Sequence, residues 1–297
     1  MLWKPSGASE LSYLNRRAIL RAAGPTAAAV AGAAVFTGVG ASAAETVLTG
    51  ILGGADDALQ EELAAEIETY LKSTGTLVEA SVAVERGDTR LEYNGAQRHI
   101  TASIVKAEIL AMTQQHWGSV DAIPEYHREL LWRMITESDN DATTALFNFL
   151  GRTEALDAAH EHYGLTSTVS DPEGRWGLTE SIAADQLAIA DVNLFEGVLD
   201  AEQTDYGREL MGGVIDAQDW GISAAARAGE SVWLKNGWDI ESQLGGLWVV
   251  NSIGVIGGEG DDPITMAILT SGAVDESEGV PIVEAIAVIA RRILDRD

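Results

Sequence analysis

Strand-length apolar runs gather in two stretches of this chain, and the residues between them have helical period. That division constrains the fold more than any other feature. The early group is a hairpin: 77–84 runs apolar, Arg86-Gly87-Asp88 turns, and 91–93 returns. The late group is 232–235, 247–253 and 264–269, the last two separated by the turn-rich Gly257-Gly258-Glu259-Gly260. Before the hairpin, Leu59, Leu63, Ile67 and Leu71 predict a helix over 56–72 that ends at Gly75. Between the groups, helices are expected over 104–115, 125–136, 142–150 and 154–163. A loop marked by Pro172, Gly174 and Gly177 precedes another at 182–190, and a final helix covers 281–294. Strands at both ends around a helical insert predict an α+β, three-layer fold: one antiparallel sheet built from both chain ends, with helices on its faces.

Composition removes several alternatives. The chain has 297 residues and no cysteine, which excludes disulfide staples, thiolate metal sites and cysteine nucleophiles. Its 46 acidic and 19 basic residues give a net charge of −27, the wrong sign for binding nucleic acid through phosphates. With 46% hydrophobic residues it can fill a core and is no disordered acidic tail.

Residues 1–43 read as an address. They hold Glu10 as their one acid and Lys4, Arg16, Arg17 and Arg21 as bases. An uncharged Ala/Gly/Val stretch follows, then Ala41-Ser42-Ala43, a small-x-small cleavage pattern. Asn15-Arg16-Arg17-Ala18-Ile19-Leu20-Arg21 resembles a twin-arginine signal, so the expected partner here is the twin-arginine export machinery and the expected location extracytoplasmic. The other readings are a Sec signal and a membrane-anchoring helix; the scarcity of leucine weakens the anchor, and no stable membrane anchor is expected. Removal of the segment leaves 44–297 as one domain with 45 acidic and 15 basic residues.

Three short motifs can carry chemistry. In Ser103-Ile104-Val105-Lys106, a helix places the hydroxyl and the amine on one face, where a neutral lysine can take the serine proton. The surrounding Ile104, Val105, Ile109 and Leu110 bury that lysine, and a buried lysine needs a reason. Ser138-Asp139-Asn140 can equally be an ordinary helix cap. Lys235-Asn236-Gly237 can equally be a hairpin turn, since Asn-Gly is a strong turn signal. Only four lysines occur in the chain, against fifteen arginines, and two of them fall in these motifs. His160 and His162, two apart, point to opposite sides of a helix and make a poor metal pair. No phosphate-cradling loop is present, and neither metal nor cofactor is expected.

In their order, S-x-x-K, S-D-N and K-x-G make the chain similar to the class A β-lactamases and penicillin-recognising serine hydrolases. The resemblance implies an acyl-enzyme at Ser103, with Lys106 activating it directly or by tuning its neighbours. Ser138 would pass a proton to the leaving nitrogen, and Asn140 would bind the substrate amide and hold Lys106. Lys235 would attract the substrate carboxylate. The substrate-binding positions implied are Asn236, Gly237 and Trp238, the N–H groups of Ser103 and Trp238 forming an oxyanion hole. The substrate implied is a small β-lactam or a peptidoglycan-like peptide. Three departures stand out. Asn236 replaces a hydroxyl residue, the stretch from Ser103 to Ser138 is short, and the family's E-x-x-L-N pattern is absent. Glu173 is the one glutamate in that segment and hence the candidate deacylation base. A D-Ala-D-Ala peptidase or esterase, or a non-catalytic penicillin-binding sensor, fits a chain with that base missing.

Overall fold

The computed structural model describes residues 42–257 and 262–296. The chain opens with α1 (Ser42–Thr74), β1 (Glu79–Arg86), β2 (Thr89–Tyr93) and a two-residue strand β3 (His99–Ile100). The helical insert holds α2 (Val105–Trp117), α3 (Glu125–Thr136), α4 (Asn140–Leu150) and α5 (Arg152–Tyr163). After β4 (Glu180–Ser181) come α6 (Ala183–Leu194) and α7 (Ala201–Gly212). The chain returns through β5 (Ser231–Glu241), β6 (Leu247–Gly257) and β7 (Ile264–Ala273) to α8 (Glu276–Leu294). The expected export signal lies outside the described residues, apart from Ser42 and Ala43 at the start of α1. Among the described residues no helix is long and apolar enough to cross a membrane.

The two strand groups do join. The five-stranded sheet has the order β2-β1-β7-β6-β5, antiparallel throughout, with Val82 of β1 opposite Ile268 of β7. Alternation along β7 explains the layers. Met266 and Ile268 pack with α1 and α8 on one face, while Ala267 and Leu269 face the helical insert on the other. On α8 the stripe Ile282, Val283, Ile286, Ala287, Ala290 and Ile293 is buried. Each large aliphatic so covered contributes roughly 1.5–3 kcal/mol. In the insert α2 is buried on every side from Val105 to Gln114, which makes it the post around which the other helices stand.

Three elements differ from expectation. The final helix starts at Glu276 rather than 281, because Asp275 caps it by accepting from Glu278 N, one turn ahead of Pro281. The helix α7 had no predicted counterpart. A Cβ at its Gly207 would meet Asn193 O at 2.4 Å, so the glycine lets α6 and α7 approach. Lys235-Asn236-Gly237 is no hairpin turn but the middle of β5, Asn236 opposite Ser252 and Gly237 opposite Asn251.

Candidate active site

Ser103 sits in a single 3-10 turn, Ala102–Ile104, between β3 and α2. That turn is held from three directions. Thr101 N donates to Thr179 O at 2.8 Å, tying it to the loop before β4. From β6, Asn251 Nδ2 donates to Ile100 O and Thr101 O, and its Oδ1 accepts from Thr270 N. From β5, Gly237 presses directly on it: a Cβ at that position would lie 2.7 Å from Ser103 N and from Ile104 N. Only glycine permits that approach. Ala102 takes φ +47, a conformation that residues with a Cβ adopt at a cost of about 1–3 kcal/mol. Asn251 escaped the sequence reading because its partners lie some 150 positions away.

Below the turn, Lys106 is fully buried. Its Nζ donates to Ser138 O (2.7 Å), Ser138 Oγ (3.0 Å) and Asn140 Oδ1 (2.8 Å). The Trp176 ring lies 5.1 Å away. Burial lowers the Lys106 pKa to about 7, against Asp139, whose charge favours the ammonium. Lys235 comes from β5, equally buried, and donates to Ser138 Oγ (3.0 Å) and to Asn236 O (2.9 Å). Burial, and then the charge of Lys106, hold it well below its ordinary value. Two lysines thus meet at one hydroxyl. With Lys106 committed to three acceptors, Ser103 Oγ makes no hydrogen bond among the described residues. Of the two routes implied for Lys106, direct activation of Ser103 and tuning of its neighbours, the hydrogen bonds made are those to the neighbours Ser138 and Asn140.

The Ser138-Asp139-Asn140 turn serves both of its readings. Asp139 caps α4, accepting from Ala142 N (2.7 Å), and pairs with Arg133. That frees Ser138, at φ +58, and Asn140 to face Lys106.

A cleft of about 700 Å³ opens over Ser103, walled by Asn140, Trp176 and Trp238. Of the expected residues Ser103, Asn140 and Trp238 line it; Lys106, Ser138, Lys235 and Gly237 stand behind that lining, and two others are turned away from the site altogether. Asn236 alternates away from Lys235 along the strand; fully buried, it donates to Gln218 O and Trp220 O and has no face open to a ligand. Glu173 is 72% exposed and pairs with Arg175, outside the cleft. Its neighbour Asp171 is committed to Arg175 and the loop backbone. Behind the site, His160 pairs with the buried Glu108, whose pKa burial raises, while His162 bonds Gln115.

A model of the beta-lactamase enzyme family matches residues 125–296, more than half of the chain. The match takes in Ser138, Asn140 and Lys235 but begins after Ser103. Among solved structures, the chain is similar to a class A beta-lactamase from Bacteroides cellulosilyticus DSM 14838, with TM-score 0.68 and 16% identity over 80% of this chain and 99% of that one. It is also similar to a class A beta-lactamase from Mycobacterium abscessus, with TM-score 0.67 and 20% identity over 78% and 99%. A third is PBP-A, with TM-score 0.65 and 17% identity over 79% and 96%. At such identities these likenesses show the fold. No curated protein matches the chain.

Proposed function

Because the chain belongs to the beta-lactamase enzyme family and is a serine hydrolase of that kind, we propose that it is exported and forms an acyl-enzyme at Ser103 with a β-lactam or a related amide. One observation carries this reading: Lys106 and Lys235 both lie 3.0 Å from Ser138 Oγ, directly beneath the cleft that holds Ser103. In the proposed reaction a neutral Lys106 takes the Ser103 proton, and Oγ adds to the carbonyl carbon. The oxyanion is held by the N–H groups of Ser103 and Trp238. The C–N bond then breaks, and Ser138 gives its proton to the departing nitrogen and is refilled from the lysines. A substrate carboxylate beside Lys235 recharges it, and Asn140 orients the amide. Gly237 lets the Ser103 turn come close to the strand backbone, Trp238 forms a wall, and Asn236 acts only by bracing the 218–220 segment behind β5.

The test is intact-mass measurement after incubation with benzylpenicillin. One adduct is expected on the wild type and none on Ser103→Ala; an adduct that survives the substitution sinks the assignment. Export through the twin-arginine route, with 44–297 as the mature domain, is read from residues 1–43. Accumulation outside the cytoplasm should stop when Arg16 and Arg17 both become Lys.

A second reading is favoured by the position of Glu173. With that carboxylate in solvent, hydrolysis of the acyl-enzyme lacks its expected base, as in a D-Ala-D-Ala peptidase or a slow penicillin-binding protein. A PBP-A variant among the similar structures is an acyl-enzyme complex with penicillin G. Nitrocefin separates the readings: sustained turnover supports a β-lactamase, and a stoichiometric burst supports the alternative.

A further inference from the structure

We propose that the far end of the cleft is an anion subsite built on Arg152, and that this enzyme prefers acyl groups ending in a carboxylate. The proposal rests on the acyl-serine reading, which makes Ser103 the reacting end of the cleft.

The cleft follows one stripe of α4. Asn140, Thr144 and Asn148 recur every four residues and all line it. A rise of about 1.5 Å per residue sets Asn148 about 12 Å along the axis from Asn140. Arg152, the first residue of α5 just past the Gly151 that ends α4, lines the same cleft. Its backbone takes φ +63, a strained conformation for a residue with a Cβ. Opposite, Gly174 leaves a gap: a Cβ there would lie 3.2 Å from Arg152 Nη2. The guanidinium therefore lies against the loop backbone at the cleft wall, in space that any other residue at 174 would contest.

Its charge is uncompensated. In this acidic chain Arg133, Arg175, Arg208, Arg227, Arg291 and Arg292 each hold a carboxylate. Arg152, like Arg98 and Arg128 elsewhere on the surface, makes no ion pair or hydrogen bond among the described residues, and of these three it alone lines the cleft. The other arginine of the cleft, Arg175, is neutralised by Asp171, which accepts from its Nε (3.0 Å) and Nη2 (2.7 Å). Asp239 lines the cleft from β5 and does not pair with Arg152 either. Phe147, Trp176 and Leu178 add apolar surface to the lining. The matching ligand is an extended acyl chain with apolar atoms for these side chains and a terminal carboxylate for the planar guanidinium fork.

A cephem carrying a 7-adipoyl side chain and the methyl ester of that same side chain differ by one charge. The acylation rate of the purified wild-type protein should favour the acid by about tenfold, the size of a hydrogen bond to a charged group. Arg152→Gln should bring the ratio to unity, and Arg152→Lys should keep part of it. Equal rates in the wild type, or an unchanged ratio in Arg152→Gln, overturn the proposal. Calorimetric binding of both compounds to Ser103→Ala separates this from the acyl-serine reading, because it needs no chemistry. Tighter binding of the acid, abolished by adding Arg152→Gln, supports the subsite even where no acyl-enzyme forms. Equal binding there overturns it.

Discussion

Two amines compete for one hydroxyl in this molecule, and the cost of charging them sets how the site titrates. Desolvation brings Lys106 to about 7, so near neutrality a substantial share of it is free to accept a proton. If Lys106 takes the Ser103 proton, the rate of acylation should rise with pH through about 7 and level off above. Stopped-flow acylation between mildly acidic and mildly alkaline pH checks this; a flat profile would count against Lys106 as the base. Stability follows the same sign. The unfolded chain holds the lysine proton up to its ordinary pKa and the native state releases it earlier, so this group stabilises the fold fully above about 10.5 and loses that contribution as pH falls toward 7. At this scale the cluster of Lys106, Ser138, Asn140 and Lys235 was legible because each motif is local in sequence and lysine is scarce. Asn236 was misjudged because a motif fixes residue type and spacing, whereas the alternation of β5 decides which way the side chain goes.

At the scale of elements, the position of the Ser103 turn depends on β5 having no side chain at 237. Gly237→Ala would drive a methyl group into Ser103 N and Ile104 N. Overpacking of this kind costs about 1–3 kcal/mol. The turn would have to move off the strand, so acylation should fall at least about a hundredfold, as when the reacting atoms are misplaced by about 1 Å. Urea unfolding together with acylation kinetics checks this, and a variant that acylates normally would show that the close approach is dispensable. The helices of the insert and the β1–β2 hairpin were readable from apolar period and turn residues. The two-residue strands β3 and β4 were not, because a pair that short has no period. Nor was α7, although Asp200 and Gln203 form a capping box that marks its start.

Across the whole molecule, 46 acidic residues against 19 basic ones leave a large self-repulsion. Exposed pairs such as Lys72–Glu68, together with half-exposed ones such as Arg292–Glu66, offset only a little of it. Salt shortens the Debye length from about 10 Å at 0.1 M to about 3 Å at 1 M. It therefore relieves the excess more than it weakens those few pairs. The urea midpoint should rise between low and high NaCl, and an unchanged or lower midpoint would show that the surface pairs dominate. The general architecture was the most legible level of all, because strand-length runs confined to two stretches leave few ways to complete a sheet.

That architecture also has a consequence in time. The strand β1 is made early, yet its partner β7 follows about 180 residues later. At roughly 5–20 residues per second, synthesis leaves an interval of about ten to forty seconds. Throughout it, one edge of β1 is an unsatisfied template for any passing strand. The hazard of mispairing thus falls on the strand made first, and whatever slows translation of the later stretch prolongs it.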